Sequence, residues 1–204
     1  MTESTKNSGP ASGVSRRSFI KGSSAVAAAA ALSTQQAEAA QKAAKVVKGK
    51  KVITVTVNGT VRKLSVETRT TLLEMLRYQL DLTGAKPVSL DGSSGASTVF
   101  VNGKPAMAST TFAITTDGKT VQTVESLGGR NPDPVVKAFV SADAEQCGFC
   151  TPGFVMAVRA FLNKNPKATE AQIRKGLNGN ICRCGTYANI VDAAVSVVKG
   201  GGNG

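Results

Sequence analysis

The chain of 204 residues contains no histidine and no tryptophan, and aromatic residues make up only 4% of it. Without histidine there is no imidazole general base, no Rieske-type cluster ligation and no His-containing zinc site. With so few aromatics, each hydrophobic core must be small, built of Val, Leu, Ile and Ala, and marginal enough to lean on a metal or a partner. Nor does the sequence show a nucleophile beside a base, convergent carboxylates or a phosphate-binding loop, so it is expected to perform no substrate chemistry alone.

What is present begins with cysteine, of which there are four: Cys147-Gly-Phe-Cys150 and, after a gap the length of a helical hairpin, Cys182-Arg-Cys184. Each short loop turns both of its sulfurs the same way, so the two pairs can converge on one centre. Thiolate-only ligation suits an iron–sulfur cluster or a structural zinc. The second pair favours the cluster, since structural zinc usually takes C-x₂₋₄-C knuckles rather than C-x-C. Two disulfides are the other reading, disfavoured because C-x-C does not easily pair with itself. Cys150 is followed by Thr151, which excludes c-type haem attachment.

Charge is the second feature. Lys and Arg number 25 against 13 Asp and Glu, a net +12. The basic residues are scattered and lack base-stacking aromatics, which argues against nucleic acid and for an acidic redox partner or large subunit.

The N-terminus reads as an address. Ser15-Arg16-Arg17-Ser18-Phe19-Ile20-Lys21 has the twin-arginine form, the weakly apolar run Ala25–Leu32 follows, and Ala37-Glu38-Ala39 offers a cleavage site. Eight apolar residues cannot cross a bilayer, so stable membrane insertion is not expected. Twin-arginine export carries folded proteins, which suits a protein whose cofactor is inserted where it is made. The expectation is a signal peptide over residues 1–39, a basic linker over 40–50 and a periplasmic mature protein.

From Val52 the pattern becomes β. Val52, Ile53, Val55 and Val57 alternate with Thr, Asn58-Gly59 supplies a tight turn, and Val61–Val66 returns. Thr71-Leu-Leu-Glu74 is a capping box opening a helix with Leu72, Leu73, Leu76 and Leu80 on one face. Strands are expected at 98–101, at 104–107 after Asn102-Gly103, and at 120–124 after Asp117-Gly118. Residues 128–133 break the pattern, and four helices are expected beyond, at about 134–142, 152–164, 169–177 and 186–199. Their apolar stripes include Val135 and Phe139; Phe154, Val158 and Leu162; Ile173 and Leu177; and Ile190, Val191 and Val197, with Thr169 as an N-cap. The fold class is α+β, with one domain over 51–127, a linker, a four-helix domain over 134–199 and a Gly-rich tail over 200–204.

The stretches Gln146–Gly153 and Gly179–Tyr187 resemble the C-terminal half of the small [2Fe-2S] subunit of the molybdenum hydroxylases, the xanthine dehydrogenase and aldehyde oxidoreductase family. The resemblance implies a β-grasp, ferredoxin-like first domain and a helical second domain whose [2Fe-2S] cluster is held by Cys147, Cys150, Cys182 and Cys184. It implies that Gln146 and Cys150 contact a molybdopterin in a large partner subunit. It also implies an electron-transfer role, with a FAD subunit or a cytochrome as acceptor. The alternative is a non-redox escort that takes the large subunit across the membrane.

In that family the first domain holds a second cluster with C-x₄-C-x₂-C spacing and a distant fourth Cys. Leu82–Val99 is similar to that loop, but Ser89, Ser94, Ser97 and Ser109 stand at the ligand positions. A serine hydroxyl is a hard, barely acidic donor, whereas a thiol near pKa 8.5 gives up its proton readily to a metal. This loop is expected to bind no iron.

Overall fold

The computed structural model describes residues 47–200 together with Arg17. The linker, signal-peptide and cleavage-site readings therefore lie largely outside the described residues.

Alternation in the sequence produces the first hairpin. Strand β1 (Lys50–Val57) pairs antiparallel with β2 (Thr60–Glu67), in register from Lys50↔Glu67 to Val57↔Thr60. Ile53, Val55 and Val57 point inward and are buried, while Val52 faces solvent. The turn carries Asn58 and Gly59 at φ 48° and 81°, left-handed angles that Asn and Gly tolerate best. Asn58 does more than turn the chain. Its amide donates to Thr123 Oγ1 at 2.8 Å and accepts the Thr123 N–H at 2.9 Å, binding the hairpin to the end of a strand 65 residues on.

Thr71 opens α1 (Leu72–Glu74) with the expected capping box. This helix is a single α-turn that continues as a π-turn over Met75–Gln79, so Met75 joins Leu72, Leu73 and Leu76 in the core and Leu80 is only partly buried. The widened turn shifts the buried face away from the even 3.6-residue spacing that the sequence suggested.

Strands β3 (Thr98–Val101), β4 (Lys104–Met107) and β5 (Thr120–Gln122) complete a mixed sheet in the order β2-β1-β5-β3-β4. β5 lies parallel to β1 and antiparallel to β3. It is shorter than expected, because Val124 already belongs to a 3₁₀ turn over Val124–Leu127.

Four helices follow: α2 (Pro134–Ser141), α3 (Thr151–Lys164), α4 (Glu170–Gly176) and α5 (Tyr187–Lys199). Asp133 caps α2 through the Val135 N–H at 2.8 Å and is bridged by Arg159 of α3 at 3.1 Å, with both side chains largely buried. Thr169 caps α4 through a second capping box. Two apolar clusters result, one under the sheet around Leu72, Leu76 and Val99, the other among the helices around Phe154, Ile173 and Ile190. No described helix is long and apolar enough to cross a membrane.

Candidate metal centre

Helix starts place all four cysteines. Cys150 is the residue from which α3 departs, and Cys147 precedes it in an irregular loop. Cys182 and Cys184 lie in the turn that leads into α5, whose N-cap is Thr186. The backbone N–H groups of these helix starts put a partial positive field on the side where thiolates gather. The Cys147 loop is tied to α5 by Asn189, whose amide donates to the carbonyl oxygens of Ala142 at 2.9 Å and Asp143 at 3.2 Å.

The thiols are free and meet as two pairs, Cys147 with Cys184 and Cys150 with Cys182. Each pair therefore takes one thiol from each loop, which neither loop's spacing discloses. Among the described residues no three Cys, Asp or Glu side chains converge on a single point. A mononuclear zinc needs four donors around one ion, whereas a two-iron group takes its terminal thiolates as separate pairs. The donor set and its arrangement thus fit the two-iron group better.

The pairs differ in environment. Burial pushes the Cys150 thiol up to about 12, with its hydrogen bond to Cys182 adding to the effect. Burial also acts against ionising Cys182. There it is outweighed by the Thr186 hydroxyl, the Thr186 N–H, the Cys150 thiol and the Gly185 N–H, which bring Cys182 down to about 7. The Thr186 hydroxyl stands 3.2 Å from Cys182 Sγ, and the Cys182 N–H donates to the Tyr187 hydroxyl at 2.8 Å. The Phe149 N–H, then the Cys184 thiol, hold exposed Cys147 below its ordinary value. At Cys184 the Cys147 N–H acts the same way, but donation to the Cys147 sulfur, burial and neighbouring charge raise it on balance.

Gly148 and Gly185 have φ of 75° and 80°, and no atom lies within 4 Å of the Cβ that either lacks. Glycine suits both positions because they require the left-handed turn. Gln146 is exposed beside Cys147. Phe149 and Ile181, also exposed, flank the thiols.

The four serines also gather in pairs. Ser89 Oγ and Ser94 Oγ are 2.7 Å apart and Ser97 Oγ and Ser109 Oγ 2.9 Å, with Ser94, Ser97 and Ser109 buried. The Ser94 and Ser109 N–H groups donate to Ser89 Oγ and Ser97 Oγ at 2.9 and 3.3 Å. These hydroxyls are satisfied by one another and by the backbone, and their hard oxygens do not fit an iron–sulfur group.

Sequence reasoning missed the supporting contacts of the cysteine loops: Asn189, Tyr187, Asn180 and Lys86, whose ammonium lies 5.7 Å from the Phe149 ring centre. Tyr187 and Asn180 lay inside the motif Gly179–Tyr187 and Lys86 inside the stretch Leu82–Val99, but the contacts of Asn180, Asn189 and Lys86 are with residues distant in sequence.

Comparison with known proteins bears directly on this centre. A family described as "[2Fe-2S] binding domain" matches residues 123–195, and one described as "TAT (twin-arginine translocation) pathway signal sequence" matches residues 13–33. The aldehyde oxidoreductase iron-sulfur-binding subunit PaoA of Escherichia coli (strain K12) is 39% identical over 197 residues, covering 88% of this chain and 86% of its own. The nicotine 6-hydroxylase small subunit of Paenarthrobacter nicotinovorans is 39% identical over 143 residues, 70% of this chain and 87% of that one. In the crystal structure of quinoline 2-oxidoreductase from Pseudomonas putida 86, a chain covered in full superposes on 76% of this one with a TM-score of 0.70 and 32% identity. The N-terminal signal indicates export by the twin-arginine route. The chain belongs to the iron–sulfur small subunits of the molybdenum hydroxylase family, the aldehyde oxidoreductases and xanthine dehydrogenases, as a non-catalytic subunit with a [2Fe-2S]-binding domain.

Proposed function

We propose that this protein is the electron-transfer subunit of a periplasmic molybdenum-containing hydroxylase or dehydrogenase, and that Cys147, Cys150, Cys182 and Cys184 hold one [2Fe-2S] group. The observation that carries this reading is the meeting of the four thiols as two inter-loop pairs. When bound, such a group supplies reversible one-electron transfer. The chain's own part is to hold it: the helix starts at Cys150 and Thr186 offer N–H groups to anionic sulfur, and the Thr186 hydroxyl donates to Cys182.

Gln146 and Cys150 are proposed to face the molybdopterin of the large subunit, with exposed Phe149 and Ile181 covered at that interface. The serine loop is proposed to bind no iron, so a FAD subunit or periplasmic cytochrome accepting electrons would serve a one-centre chain. Cleavage after Ala39 would release the mature subunit.

Iron and sulfide per chain, with an EPR spectrum of the dithionite-reduced complex, test the reading. About two irons and one [2Fe-2S] signal are expected. About four irons and two signals would overturn the serine assignment, and zinc or no metal would favour the escort role. An Arg16→Lys, Arg17→Lys double variant should leave the protein in the cytoplasm.

A further inference from the structure

The serine loop lies against both cysteine loops. The Ile181 N–H, one residue before Cys182, donates to the Ser94 carbonyl oxygen at 3.0 Å. The buried Asn180 side chain donates to the Gly95 carbonyl oxygen at 3.1 Å. On the other side, Gly153 in the first turn of α3 meets Gly95 and Ala96 so closely that an added Cβ would stand 2.5 Å from the Gly95 oxygen. Lys86, at the start of the same loop, reaches over Phe149 between Cys147 and Cys150.

The Lys86 N–H closes the loop on the Ala96 carbonyl oxygen at 3.1 Å and Thr98 Oγ1 donates to the Gly95 carbonyl oxygen at 2.6 Å, and within that frame the serines supply the side-chain cross-links. Ser89 Oγ takes the Ser94 N–H at 2.9 Å and bonds the Ser94 hydroxyl at 2.7 Å. The carbonyl of the residue pinned in this way is the one that receives Ile181. At the far end, the Ser97–Ser109 pair anchors the loop to the segment after β4. In the ligand positions, hydroxyl pairs supply the internal cross-links that sulfur and iron would otherwise supply.

We infer that the Ser89–Ser94 and Ser97–Ser109 hydroxyl pairs hold residues 86–97 as a metal-free clamp that sets the position of the Cys182 and Cys150 loops, making Ser89 a positioning residue for the thiol centre. Because the Ile181 amide is part of the chain that carries Cys182, loosening Ser94 moves a thiolate relative to its N–H donors. The redox potential and the EPR line shape respond to those donors. The inference rests on the cysteine assignment proposed above.

The test uses the intact complex with Ser89→Ala, Ser89→Thr and Ser93→Ala. Ser89 is half-buried, so its variants should fold, and Ser89→Thr keeps the hydroxyl. Ser93 lies in the same loop but bonds Asp91 only, which makes it the control. Ser89→Ala should keep the wild-type iron content yet shift the midpoint potential and EPR g-values, and hydrogen exchange at Ile181 should accelerate. Ser89→Thr should restore all three, and Ser93→Ala should change none. A potential, spectrum and exchange rate in Ser89→Ala equal to wild type would overturn the clamp. A wild-type complex without any [2Fe-2S] signal would instead sink the cysteine assignment. Exchange at Ile181 would then decide the clamp alone, faster exchange upholding it and an unchanged rate removing it.

Discussion

The backbone N–H of Cys182 donates to the hydroxyl of Tyr187 at 2.8 Å, closing the six-residue turn that presents Cys182 and Cys184. The tyrosine ring stands edge-on to Phe154 of α3, centroids 6.1 Å apart, so the same side chain links the turn to the helical core. Tyr187→Phe keeps the ring contact and leaves the N–H without its acceptor. A loss of about 1 kcal/mol is expected, read as a lower unfolding midpoint in denaturant with an unchanged slope.

At Thr186 the effect is electronic rather than structural. Its hydroxyl can serve a thiolate at Cys182 only as a donor, at 3.2 Å, and a donated hydrogen bond favours the more negative, reduced state of a bound cluster. Thr186→Val should lower the midpoint potential at equal iron content, as measured by an EPR-monitored redox titration. A potential equal to or above that of wild type would contradict this role.

Removing a thiol removes the centre. Cys182→Ser replaces a buried soft ligand by a hard one, and the purified complex should lose its [2Fe-2S] EPR signal and its reduction of external acceptors. Retention of both would contradict the ligand assignment.

The close approach at Gly153 predicts a steric cost. A Cβ there would lie 2.5 Å from the Gly95 oxygen and 2.8 Å from Ala96 Cα, both backbone atoms that cannot swing away. Gly153→Ala should destabilise by ~1–3 kcal/mol, despite alanine's better helix propensity. Thermal unfolding followed by circular dichroism measures it.

Beside β1, Asp117 supplies a pH dependence. The Lys51 ammonium at 2.9 Å and the Thr54 N–H at 2.9 Å hold its carboxyl below the ordinary 3.8. A depressed carboxylate pKa contributes stability that is fully present above its unfolded value and is lost as pH falls through the folded value. The gap in melting temperature between wild type and Asp117→Asn should therefore be open near neutral pH and close below about pH 4. A gap that stays constant into acid would remove Asp117 as its source.

Local chemistry made much of this protein legible in its sequence. The capping box at Thr71, the N-cap at Thr169, Asn-Gly turns at 58–59 and 102–103, and the apolar stripes of the four late helices act over a few residues, and the structure shows each of them. The π-turn after Glu74 and the early end of β5 were not legible, since core packing rather than local propensity decides them. The sequence likewise determined which residues bear soft sulfur and which bear hydroxyl, and therefore which loop suits iron. Only the tertiary structure decided that Cys147 meets Cys184 and Cys150 meets Cys182. It alone also set Asn180 on the Gly95 carbonyl, 85 residues away. Such contacts form when two packed cores bring distant loops together, and spacing along the chain carries no record of that geometry.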